Sequence, residues 1–132
     1  MSERFEPTSL DKLEKQYDLV VIGSGSAGLT TAIKAAELGL HPVILEKMLT
    51  VGGDTKRASS GMNAAETFVQ TEQGIQDSVG QFYYETLRGG HGQNDPDLLK
   101  YFTEHGARAI EWLYKEGVQL DDLTISGGMS VC

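Results

Sequence analysis

"YDLVVIGSGSAGLTTAIKAAELGLHPVILEK", residues 17–47, decides how this chain folds. Residues 17–22 are an apolar, β-branched run that stops at Gly23. So short a run suits a strand buried on both faces, as parallel sheets require. The segment "LTTAIKAAELG" follows with helical period, and Leu29, Ala32, Ile33 and Ala36 form the stripe expected to pack on the sheet. Gly39 stands where that helix should stop. "PVILEK" then reads as a second strand, which makes the segment a strand–helix–strand unit of the α/β class, a parallel sheet with flanking helices.

Gly23, Gly25 and Gly28 stand at the GxGxxG spacing in the turn between strand and helix. The first glycine permits the tight turn, the second lets backbone approach a pyrophosphate, and the third lets the helix pack closely on the strand. The helix N-terminus behind them presents unpaired amides and a positive dipole end to the phosphates. The second strand ends in Glu46, followed by Lys47, about twenty residues beyond the glycines, where an acid accepts hydrogen bonds from a ribose 2′-hydroxyl. A carboxylate there repels a 2′-phosphate, so NADP is disfavoured. NAD and FAD share the ADP half that such a unit holds, and the unit alone leaves both open.

Composition narrows the setting. Within 132 residues, 19 acidic side chains outnumber 11 basic ones for a formal net charge of -8, so the basic stripe of a nucleic-acid binder is missing. Cys132 is the single cysteine, which leaves no disulfide framework and no paired-cysteine metal site and fits a reducing, cytoplasmic setting. The stretch "MSERFEPTSLDKLEKQ" lacks an apolar signal-peptide core, and no window approaches the roughly 20 apolar residues of a membrane helix. Asp121 and Asp122 read as solvated turn residues, and no metal site is expected.

After Glu46 comes "KMLTVGGDTKRASSGMNAA", glycine-rich and polar with hardly any apolar period, where small residues leave room for a flat ring against backbone. Here the chain resembles the flavoprotein family of fumarate reductases and succinate dehydrogenases, most of all the soluble, flavocytochrome c-like branch. "VIGSGSAGL", "LEK", "GGDTKRASSGMNAA", "RGGHGQNDPDLL" and "GGMSV" carry the resemblance. It implies FAD as cofactor and the N-terminal part of a Rossmann-like FAD-binding domain. It places Gly23, Gly25, Ala27, Gly28, Glu46, Lys47, Gly53, Asp54 and Thr55 on the ADP and pyrophosphate side, and Ser59, Ser60 and Gly61 beside the flavin ring. The quinone-linked branch carries a flavin-bonding histidine in this loop, where this chain has Asp54, so the FAD is expected to be noncovalent.

Further along, Ile75, Val79, Phe82, Tyr83, Thr86 and Leu87 recur at helical spacing up to Gly89 and Gly90. Asp95 can cap a helix beginning at Pro96 and ending at Gly117, with a break near Gly106 and with Leu99, Phe102, Ile110 and Leu113 inward. Trp112 and the tyrosines read as packing residues. His41 reads as a surface-turn residue, His91 as a loop residue and His105 as a helix-end residue, none of them in a cluster.

In the resembled enzymes, hydride passes from reduced flavin to the C=C bond of an unsaturated dicarboxylate such as fumarate, with arginine and histidine groups supplied from later in the chain. Arg4, Arg57, Arg88 and Arg108 match none of those positions, so no catalytic residue is assigned. The expectation is therefore an extension over residues 1–16 followed by an incomplete FAD-binding domain over 17–132, with the electron donor unknown. Two other functions fit the residues: a related flavoenzyme acting on a ketosteroid, urocanate or tricarballylate, and a stand-alone nucleotide-binding module.

Overall fold

A computed structural model describes residues 8–58 and 61–132, so the predicted site residues Ser59 and Ser60 lie outside the described residues. The chain divides into two compact units, Met1–Ser59 and Ser60–Cys132.

The first unit is the strand–helix–strand segment. Strand β1 (Leu19–Ile22) and strand β2 (Pro42–Leu45) pair in parallel, Leu19 opposite Pro42 and Ile22 opposite Leu45, and helix α1 (Ser26–Glu37) connects them. Backbone bonds prolong the pairing at both ends, from Asp18 N–H to the His41 carbonyl (3.0 Å) and from Gly23 N–H to the Leu45 carbonyl (2.8 Å).

The rotation of α1 about its axis is set by one glycine. A Cβ on Gly28 would lie 2.1 Å from the Gly23 carbonyl oxygen and 3.2 Å from a Val21 methyl, so only a bare backbone fits against the end of β1. Ala32 and Ala35, four and seven residues on, share that face and are the buried residues of the helix. This corrects the stripe read from the sequence. Leu29 is half-buried, but Ile33 is 41% exposed and Ala36 is also exposed, because holding Gly28 against the strand turns them away from the sheet. The expectation of a strand buried on both faces is corrected too: Val21 is buried, whereas Val20 and Ile22 are exposed, since α1 covers one face. The helix stops as expected. Gly39 takes φ +78°, its N–H reaches the Ala36 carbonyl and the Leu40 N–H reaches the Ala35 carbonyl, a Schellman closure.

The second unit holds helices α2 (Phe68–Glu72), α3 (Val79–Gly89) and α4 (Pro96–Lys115). Helix α2, absent from the sequence reading, opens with a capping box: the Thr67 hydroxyl accepts the Gln70 N–H, and the Gln70 side chain accepts the Thr67 N–H. Ser78 caps α3 through the Gln81 N–H, so Ile75 precedes the helix. Asp95 caps α4 by accepting from Asp97 and Leu98 N–H, both 3.0 Å, with Pro96 at the first position as expected.

Helix α4 runs unbroken through Gly106, against expectation. Gly106 is a packing residue: its absent side chain lets the helix lie on Ala64, whose Cβ would stand 3.0 Å from a Cβ placed there. His105 therefore sits inside the helix, its Nδ1 at 2.8 Å from the Tyr101 carbonyl and its ring stacked on Tyr101. The inward face comprises Leu99, Thr103, Gly106 and Ile110, with Leu113 half-buried, while Phe102 is 42% exposed and lays its ring against Phe82 of α3 at 5.6 Å. Phe68 of α2 meets Tyr114 edge-on at 4.7 Å, in keeping with a packing role for Tyr114, whereas Tyr84 and Tyr101 are each 63% exposed.

The segment after α4 has no helix or strand and is tied down by side chains. Gln73 Nε2 donates to the Asp121 carbonyl (3.2 Å), the Ser126 hydroxyl to Asn63 Oδ1 (2.7 Å), Ser130 N–H to Glu85 (3.0 Å) and Gln70 Nε2 to the Cys132 carbonyl (2.8 Å).

Two glycine substitutions separate these packing demands. Gly28→Ala should destabilise the protein by about 1–3 kcal/mol, the scale of overpacking against a backbone that must shift. Gly80→Ala, exposed within α3 with nothing near its Cβ position, should instead gain up to about 1 kcal/mol. Denaturant unfolding of both variants measures the difference, and equal effects would contradict the helix phase described above.

Candidate nucleotide-binding site

Gly23, Gly25, Gly28, Glu46, Gly53 and Thr55 come together at the C-terminal edge of the two strands. Gly23 leaves β1 with φ +94°, a left-handed conformation that side chains rarely adopt, and so turns the chain sharply into α1. Gly25 is the residue just before the helix and supplies no side-chain cap. Apart from its chain neighbours, a Cβ built on it would meet nothing within 4 Å, so the space beside Gly25 is open. Ala27 is exposed in the first turn of α1, and Gly28 is closed against Gly23.

The loop after β2 folds back onto this turn. Gly52 and Gly53 both have positive φ, +110° and +52°, and a Cβ on Gly53 would come within 3.3 Å of the Gly25 Cα. Gly53–Arg57 then form a single 3-10 turn where the sequence reading had an extended loop. Its Thr55 hydroxyl accepts the Ser26 N–H at 3.2 Å, at the first position of α1. Asp54 is exposed on this turn, 4.0 Å from Arg57, and Lys47 is exposed just past β2. Gly61 belongs to the second unit, where it is exposed and a Cβ would meet nothing within 4 Å.

Glu46 is the charged centre of the arrangement. Its Oε2 accepts both the hydroxyl (2.5 Å) and the N–H (2.9 Å) of Ser24, and its Oε1 accepts the Met48 N–H (2.8 Å). The Ser24 hydroxyl is the largest cause, with the Met48 and Ser24 amides behind it, of a carboxyl pKa pulled down to about 2. Glu46 is thus an oriented anion at neutral pH. Ser24, fully buried beneath it, was missed by the sequence reading, and its signal was a hydroxyl residue between the first two glycines. Among the described residues, no three His, Cys, Asp or Glu groups converge into a metal site.

Open space beside a glycine at a helix N-terminus, with an acid at the end of the next strand, is the arrangement found where the ADP half of a dinucleotide is held. Residues 18–130 match the model of the FAD binding domain family. The chain belongs to that family. The choice between NAD and FAD, left open by the strand–helix–strand unit, is thereby resolved to FAD, and the open space at Gly25 together with Glu46 fits its ADP half.

The chain is 54% identical over 121 residues to an NADH:fumarate oxidoreductase of Klebsiella pneumoniae, an alignment covering 92% of this chain and 13% of that protein. It is 37% identical to a fumarate reductase (cytochrome) of Shewanella frigidimarina, covering 98% of this chain and 25% of that protein. The open conformation of a flavocytochrome c3 fumarate reductase superposes with a TM-score of 0.82 at 36% identity, over 87% of this chain and 20% of the other. The chain therefore spans about a quarter or less of the length of these relatives. No helix among the described residues is long and apolar enough to cross a membrane.

The Glu46 pKa has a testable consequence for stability. A carboxyl whose pKa falls on folding, here from 4.5 to about 2, contributes stability that is complete above pH 4.5 and is lost as pH falls through about 2. The stability difference between wild type and Glu46→Gln should be constant from neutral pH to about pH 5 and shrink steadily below pH 4.5. Denaturant unfolding across this range measures it, and a difference independent of pH would show that Glu46 is not held as an anion.

Proposed function

We propose that this chain holds the ADP half of FAD in a flavoprotein oxidoreductase that reduces the C=C bond of an unsaturated dicarboxylate such as fumarate. The observation that carries the reading is Glu46, anchored through both carboxylate oxygens beside the open glycine turn. The reaction class rests on the family and on relatives whose names specify fumarate reduction. FAD, when bound, supplies the two-electron redox chemistry.

Gly23 and Gly28 shape the turn, while Gly25 and Ala27 border the pyrophosphate, beside the Ser26 N–H that the Thr55 hydroxyl accepts. Glu46 receives the ribose hydroxyls: its Oε1 accepts one N–H from Met48, and a carboxylate oxygen accepts two hydrogen bonds, so that oxygen has capacity left. Lys47, Gly53, Asp54 and Thr55 border the same side, and the resemblance to the family assigns Ser59, Ser60 and Gly61 to the flavin ring. None of these residues supplies a proton to the substrate. The FAD is noncovalent, a reading supported by Asp54 at the position where the quinone-linked branch carries its flavin-bonding histidine. A reducing, cytoplasmic setting accords with the single cysteine.

Acid precipitation of the full-length holoprotein should release all flavin into the supernatant as FAD, and yellow precipitate would contradict the noncovalent reading. Glu46→Ala should weaken FAD binding by about 1.5–3 kcal/mol, roughly 10- to 100-fold in Kd, the scale of hydrogen bonds to a charged group. Fluorescence titration of the deflavinated protein measures it, and an unchanged Kd would remove Glu46 from the site.

A further inference from the structure

Ser24 is 0% exposed, and every polar group it owns is engaged by the two segments that border the nucleotide site. Its N–H and hydroxyl both donate to Glu46 Oε2, at 2.9 and 2.5 Å. Its hydroxyl oxygen and its carbonyl both accept the Gly52 N–H, at 3.1 and 3.0 Å. A serine hydroxyl has one hydrogen to give and lone pairs to receive, so this one joins an acceptor on one side to a donor on the other. Gly52 in turn begins the turn that presses Gly53 on Gly25 and brings the Thr55 hydroxyl to the Ser26 N–H.

From these contacts we infer that Ser24 is a positioning residue: it aims the Glu46 carboxylate and anchors the Gly52–Arg57 loop, making the ribose acceptor and the pyrophosphate loop one mechanical unit. With Ser24 on Oε2 and Met48 on Oε1, the carboxylate cannot rotate and presents its remaining lone pairs in fixed directions. Without the hydroxyl, Oε2 retains one donor, and the Gly52 N–H retains only the Ser24 carbonyl. Ser24 thus acts on a bound nucleotide through Glu46 and through the loop, with no contact of its own. This inference rests on the reading of Glu46 as the ribose acceptor.

The test uses the full-length flavoprotein stripped of FAD, with ADP and 2′-deoxy-ADP as probes in calorimetry. Ser24→Ala should weaken ADP binding about tenfold and reduce the preference for ADP over 2′-deoxy-ADP. The Ser24→Ala, Glu46→Ala double variant should lose less ADP affinity than the two single losses combined, because part of the Ser24 effect passes through Glu46. In the ligand-free protein the Gly52 amide should exchange hydrogen faster in Ser24→Ala and at the wild-type rate in Glu46→Ala. The acid limb of ADP binding should move to higher pH in Ser24→Ala, because Glu46 loses its strongest stabilising donor.

Should Ser24→Ala fail to fold, the near-isosteric pair Ser24→Thr and Ser24→Val serves instead, the first keeping ADP affinity and the second losing it. Wild-type ADP affinity in Ser24→Ala, or equal affinity in the Thr and Val variants, overturns the inference. So does full additivity in the double variant. If Glu46→Ala binds ADP as wild type does, the reading of Glu46 fails instead, and Gly52 exchange still reports the loop anchor on its own.

Discussion

The first unit depends on a contact that only a residue without a side chain can make, Gly28 against the carbonyl of Gly23. It brings the start of α1 within backbone distance of the end of β1, and three consequences follow. The helix rotates so that Ala32 and Ala35 meet the sheet. The helix N-terminus is carried to the C-terminal edge of the strands, where its amides and dipole end at the turn. Gly25 is left bordering open space, with no side chain of its own between that space and the backbone.

A second layer of order is electrostatic. A turn rich in N–H donors attracts any anion, and a carboxylate beside it could swing in and occupy it. Three donors to Glu46 prevent this by fixing the acid at the end of β2 and keeping it ionised. In the proposed reading, an acid fixed in that way selects hydroxyls over phosphate at the ribose and leaves amides for the pyrophosphate. That reading divides the labour between an acceptor at one end and donors at the other, which is what tells a dinucleotide from a free anion.

The second unit is organised differently, by capping and side-chain ties and not by a sheet. Thr67, Ser78 and Asp95 each satisfy the first amides of a helix, and Gly106 lets α4 settle on Ala64. The segment after α4 has no repetitive backbone pairing, so Gln70, Gln73 and Glu85 take over the bonding that a strand would have provided.

Residues 17–47 determined by themselves the strand–helix–strand order, the turn at Gly23, the stop at Gly39 and the place of Glu46, because each depends on local backbone rules and on spacing along one chain. The cap at Asp95 was legible for the same reason. Which helix face is buried was not: Leu29, Ile33 and Ala36 make the more apolar stripe, and a close approach at Gly28 overrules hydropathy. Gly106 looked like a break because glycine weakens an isolated helix, whereas its contact with Ala64 needs the missing side chain. The role of Ser24 was not legible from its place between two glycines, since its hydroxyl has no partner until the fold brings Glu46, 22 residues away, and Gly52, 28 away, to it. Contacts between distant residues are set by how elements pack, and that only the tertiary structure decided.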